Sequence, residues 1–224
     1  MLPKAVASHT HSKARRAETE SMQRPSTFAW LAAATHIVAS FAMLLLLRRG
    51  LPGFPDAERL AYIASHRAAW IGGWLLWQVA AISLIGFYGV LALRFRGVLS
   101  VMAMGVATAG LAIDFVCETR YIGVLPELRG VAFAALDREL EVLIGYAANG
   151  LYTVALVLLV IAGWRELPRF ALVLAAPVVA SGFALAAASL AHDARLETAF
   201  SAILFPLFTL WIVVVGYWLR KNES

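Results

Sequence analysis

The sequence predicts an all-α polytopic membrane protein: a bundle of six transmembrane helices with a short interfacial helix between the first and the second. Three observations carry that expectation. Of 224 residues, 61% are hydrophobic and only 15% are charged, whereas about a quarter of a soluble domain is charged. Apolar runs near the roughly 20 residues that cross about 30 Å of hydrocarbon recur at 28–47, 70–93, 98–118, 140–163, 170–191 and 198–219. These runs are continuous and lack the alternation of barrel strands. In lipid the backbone must satisfy its own hydrogen bonds, so each run is a helix.

Residues 1–25 differ in character from the rest, which forms one six-helix domain over 26–224. Lys4, Lys13, Arg15, Arg16 and Arg24 stand among small and polar residues, with no apolar core of the signal-peptide kind. This reads as a disordered, basic cytoplasmic tail. It explains much of the pI near 9.7, and a basic segment beside a first span answers to anionic lipid. No nucleic-acid-binding motif accompanies it. His9 and His11 are the only spaced histidine pair there, and flexible polar tails carry such pairs without a role.

Helix 1 places His36 about 12 Å from its inner end, on the face Ala29, Ala33, His36, Ser40. The expectation is a buried histidine bonded to a serine, a threonine or a backbone carbonyl. A bis-histidine haem would need a partner at the same depth, and His66 and His192 both fall on the outer side. Next, Pro55-Asp56 followed by apolar residues at 60, 63 and 64 marks the short interfacial helix. Trp70 then stands at the interfacial level, with Trp74 and Trp77 packing inward. The brief turns 94–97 and 165–169 force helices 2 and 3, and 4 and 5, into antiparallel hairpins. The connection 119–139 is punctuated by Pro126, and 132–141 begins helix 4 outside the membrane. The single Cys117 excludes an intramolecular disulfide and reads as a small buried apolar residue.

Orientation follows from charge. With both termini inside, the inner segments carry 11 Lys/Arg and 4 Asp/Glu, against 8 and 10 elsewhere. The positive-inside rule then favours cytoplasmic termini.

In that frame the polar residues fall in the outer half. Gln78 is about 12 Å deep from the outer side, Asn149 roughly 13 Å, Asp114 about 6 Å, and Glu118 stands near the boundary. On helix 3 the positions 103, 107, 110, 114 and 118 read Ala, Ala, Gly, Asp, Glu, a small-residue stripe ending in two acids. Such stripes face other helices. Helix 4 offers Gly145, Asn149 and Thr153, and helix 5 offers Ser181, Leu185, Ala188 and His192. Charge in the hydrocarbon centre costs about 2.5 to 3.5 kcal/mol per residue on insertion scales, and Asp114, on an interhelical face one turn below the boundary, needs a partner. Gln78, Asn149, His192 and Arg120 are the candidates.

The runs Trp70-Ile71-Gly72-Gly73-Trp74-Leu75-Leu76-Trp77, Ala147-Ala148-Asn149-Gly150-Leu151-Tyr152-Thr153 and Leu204-Phe205-Pro206-Leu207-Phe208-Thr209-Leu210-Trp211 resemble those of small bacterial six-helix membrane proteins of unknown function. The likeness covers residues 28–220. It implies a six-helix bundle in a bacterial cytoplasmic membrane and supplies no catalytic residue.

Three functions stay open. In the first, Asp114, Glu118, Gln78, Asn149 and His192 line an outward-facing pocket that binds or moves a small cation or an amphipathic, lipid-like molecule. In the second, His66, Glu118, Glu139, His192 and Asp193 assemble an enzyme site at the outer interface. The sequence has no His-Glu-x-x-His and no Gly-x-Ser-x-Gly, so no catalytic residue, metal site or cofactor is assigned. In the third, a structural pair between Asp114 and Arg120 or Arg129 only locks helices in an accessory subunit.

Overall fold

The computed structural model describes residues 24–223. The tail and its two histidines lie outside the described residues. Helix α1 (Pro25–Ala42) continues through a π turn (Met43–Leu47) and a 3₁₀ turn (Arg48–Gly50), and Pro25 stands at its start, where a missing N–H costs nothing. The short α2 (Asp56–Ser65) follows, then α3 (Arg67–Phe95) and α4 (Val98–Gly123). After a 3₁₀ turn (Leu125–Glu127), α5 (Gly130–Val142) passes through a π segment (Leu143–Ala148) into α6 (Asn149–Ala162), making one long rod. Helices α7 (Arg169–Leu190) and α8 (Ala194–Lys221) complete the chain, with Pro177 and Pro206 inside them.

Six of these rods are long and apolar enough to cross a membrane, and no strand occurs among the described residues. The all-helical six-span bundle is therefore the observed fold. All of these rods but the fifth, Arg169–Leu190, are longer than the apolar runs, because polar residues continue the helix at their ends. The fourth spans Gly130–Ala162, and its early start matches the extension expected from 132.

Each span packs on its neighbours in the chain, and the sixth returns to the first. The bundle is thus a ring. A clasp closes it, with the Ser26 amide donating to Glu223 Oε1 (2.6 Å) and the Ser26 hydroxyl to Oε2 (3.0 Å). Higher up, Trp30 meets Tyr217 edge-on at 4.9 Å. We call this the terminal end, and the opposite one, covered by α2, the capped end.

The core has two parts. Towards the terminal end Phe87, Tyr88, Leu91, Leu156, Leu159, Trp211 and Val215 fill the ring. Under α2 a second cluster holds Leu47, Ile63, Trp70, Trp74, Cys117, Tyr121, Phe133 and Leu140. Trp70 is fully buried there, its indole donating to the Tyr121 carbonyl at 2.8 Å.

The face of α2 departs from expectation. Ala64 is exposed and Leu60 half-buried, whereas Arg59 is buried beside Ile63. The reason is a charged partner on a distant helix. Arg59 grips Asp137 of α5 through two hydrogen bonds (2.9 and 2.6 Å), and its Nε donates to the Gly50 carbonyl (3.0 Å). The guanidinium also lies over the Phe133 ring, 5.2 Å from its centroid. With Arg59 3% and Asp137 6% exposed, this is a desolvated bidentate pair, and α2 is clamped to protein instead of resting on lipid.

Candidate functional site

The stripe on α4 is buried along its whole length, from Ala103 and Ala107 through Gly110 to Asp114 and Glu118. Gly110 is what lets the fourth span come close. A Cβ there would lie 3.2 Å from both the Ala148 carbonyl oxygen and the Tyr152 ring. One turn further along α4, the Asp114 carboxyl faces the Tyr152 hydroxyl. The two do not close a hydrogen bond of normal geometry, so the buried Tyr152 hydroxyl is left without a partner. Tyr88 backs this position, its hydroxyl donating to the Tyr152 carbonyl at 3.4 Å.

Glu118 stands one turn nearer the capped end. Asp114 is 9% and Glu118 4% exposed, and Glu118 Oε2 makes no hydrogen bond. Among the described residues no arginine neutralises the pair. Arg120 donates to Glu139 at the rim (2.9 Å), and Arg129 donates to the Pro126 and Leu128 carbonyls of its own loop (2.8 and 2.6 Å). The structural pair of Asp114 with Arg120 or Arg129 is thus not formed.

The partners expected of Asp114 are also engaged elsewhere. The Asn149 amide donates to the Ile144 carbonyl of its own rod (3.3 Å), bracing the π segment, and the Thr153 hydroxyl donates to the Asn149 carbonyl (2.8 Å). Cβ atoms placed at Gly145 and Gly182 would strike Ser189 and Thr153. The face with Gly145 and Thr153 therefore packs on α7, while Ala148 and Tyr152 face α4. His192 has a left-handed backbone (φ 55°) just past α7, and its Nδ1 lies 3.7 Å from Glu141 Oε2. Gln78 is half-buried, and its side chain has no hydrogen-bond partner among the described residues.

Gln78 nonetheless shares the level of the acids. The short link between α3 and α4 makes them antiparallel, and the Trp74 ring stacks on Tyr121 at 4.4 Å and 6°. One helical turn deeper, Gln78 and Trp77 come level with Glu118, about a turn short of Asp114. The indole N–H groups of Trp74 and Trp77 are buried without partners too. Asp114, Glu118 and Gln78 thus lie in one layer with Tyr152 and two indoles, whereas Asn149 and His192 belong to contacts of their own.

Tyr152 escaped the sequence reading. Its signal was a tyrosine deep in a span, far from the interface where such residues usually anchor. The residues of the enzyme alternative do not converge. His66 bonds Ser65 (2.8 Å) and stacks on Tyr62, Glu139 holds Arg120, and Asp193 caps α8 by accepting from the Arg195 and Leu196 amides (both 3.0 Å). Among the described residues no three of His, Cys, Asp and Glu are grouped so as to hold a metal ion. His36 is buried as expected, its Nδ1 2.8 Å from the Ala32 carbonyl, between the rings of Trp77 and Phe208. No family model, curated protein or solved structure matches the chain.

Proposed function

We propose that this integral membrane protein binds or moves a small monovalent cation, a proton or an alkali ion, in the layer of Asp114, Glu118 and Tyr152. One observation supports the reading above others: two acids on successive turns are buried between helices, and no cationic side chain among the described residues pairs with them. A buried charge left without a counter-charge is destabilising by several kcal/mol, on the order of what an ion pair in the interior repays. The protein's own structural pair, Arg59 with Asp137, is fully partnered and shows the contrast.

The donor set favours a monovalent ion. Two carboxyl groups and one phenol fall short of the 6 to 8 oxygens that Ca²⁺ takes. Thermal unfolding of the purified protein tests this, with Na⁺, K⁺ or Li⁺ exchanged for choline at constant ionic strength and repeated across pH. Wild type is expected to be stabilised by one alkali ion, or to respond to pH alone, and Asp114→Asn and Glu118→Gln should lose that response. A cation-binding layer stabilises by about 2.7 kcal/mol at a hundredfold excess over Kd. Indifference of wild type to every ion and to pH would refute the reading.

We further propose a bacterial inner-membrane location with the terminal end in the cytoplasm, so that the acid layer lies in the outer half. Support comes from charge: in residues 24–223 the terminal end carries 7 Lys/Arg and 2 Asp/Glu, the capped end 8 and 10. Impermeant thiol reagents on intact cells should label Asp56→Cys and Arg129→Cys, but not Arg96→Cys or Lys221→Cys. The native Cys117 is buried and stays silent. Labelling of the second pair alone would invert the orientation.

A further inference from the structure

The two ends differ in their balance of charge. Within residues 24–223 the capped end has 10 Asp/Glu for its 8 Lys/Arg, and Arg59, Arg67 and Arg120 each hold a carboxylate while Arg48 and Arg49 are exposed without one. At the terminal end Arg94 spans to Glu166 at 3.6 Å and lies over the Trp218 ring at 4.8 Å. That contact consumes one of the two acids at this end among the described residues, and the Ser26 clasp holds the other, Glu223. Arg96, Arg165, Arg169 and Arg220 are exposed, and their side chains make no ion pair or hydrogen bond among the described residues.

These arginines share one surface. The turns 94–97 and 163–168 pack together, since a Cβ at Gly163 would meet the Phe95 ring, and Phe95 lies 6.1 Å from Trp218 of α8. Around it Phe170 is exposed, together with Trp164 and Tyr217, the two amphipathic aromatics of the kind that sit at head-group level. The helix starts agree. α4 and α7 both begin at this end with no side-chain cap and no acid in the first turn, whereas the start of α1 is met by Glu223, and Arg169 opens α7. Positive charge at a helix start opposes the macrodipole, and an anion relieves that conflict.

We propose that this surface binds anionic phospholipid head groups, whose phosphates are received by Arg96, Arg165, Arg169 and Arg220 while the exposed rings lie among the glycerol backbones. The proposal is independent of the cation layer and of which leaflet the surface meets.

The test is thermal unfolding of the full chain in phosphatidylcholine nanodiscs with and without phosphatidylglycerol. Phosphatidylglycerol should raise the wild-type midpoint, and high salt should diminish the rise. Arg96→Gln/Arg169→Gln should lose at least half of the rise with an unchanged midpoint in phosphatidylcholine. Arg48→Gln/Arg49→Gln, at the capped end, should keep it. A rise retained by the first variant, or lost equally by both, overturns the proposal. So does a rise reproduced by soluble glycerol phosphate, which would mark a free-phosphate site. Should the double variant not fold, the number of phosphatidylglycerol molecules retained by Arg165→Gln in native mass spectrometry decides: fewer than wild type supports the surface, and an equal number refutes it.

Discussion

Asp137→Ala is expected to destabilise the protein by about 3 to 5 kcal/mol, the usual cost of leaving one partner of a buried ion pair alone. Arg59 would remain in its apolar setting with the Gly50 carbonyl, the Phe133 ring face and a 3.3 Å contact to Asp56. The guanidinium cannot shed its charge, so α2 should detach. Arg59→Met/Asp137→Leu should recover most of the loss, because apolar side chains of similar volume often replace such a pair without penalty. Unfolding midpoints of the three proteins in one detergent measure both effects. A single variant as stable as wild type would mean that the clamp contributes little.

The second large effect has the opposite sign. Asp114→Asn/Glu118→Gln, in choline buffer without alkali ions, is expected to be more stable than wild type by about 1 to 3 kcal/mol, since it removes acids buried without counter-charge while keeping their shape. The gain should shrink or vanish as the stabilising ion is added, because only wild type can use it. If the acids merely locked helices, the same double variant would lose stability in every buffer. Stability and ligand response therefore move in opposite directions in one outcome and together in the other.

The contrast between these two acid groups shows what a sequence can disclose. Six spans are legible because crossing hydrocarbon demands a run length that few soluble elements share. The α4 stripe is legible for a similar reason: residues four apart fall on one side of a helix, and small residues followed by acids belong between helices. Arg59 and Asp137 were not legible, since each reads locally as a solvated charge on an amphipathic turn and their attraction joins positions 78 residues apart. The partner of Asp114 was misjudged for another reason. Depth was counted along the spans, but which side of the fourth rod faces α4 depends on packing. Gly145 and Thr153 are taken up by Ser189 and Gly182 of α7, which leaves Tyr152 for Asp114. A π turn at Leu143–Ala148 widens that rod just where its two sides are shared out.

The ring arrangement also bears on the order in which the molecule is assembled. Because every span rests against the one synthesised before it, most of the structure can accrete by short-range steps as the chain emerges, with little loop-closure entropy at each addition. One seam is the exception. The contact of α1 with α8 joins residues up to 197 apart at the Ser26 clasp, so the first helix spends the whole of synthesis with one flank turned to lipid. That flank must be tolerable to both surroundings. Ala29 facing Gly216, where an added Cβ would come within 3.1 Å of the alanine methyl, meets the requirement: small side chains are at home among acyl chains and still permit a tight final closure.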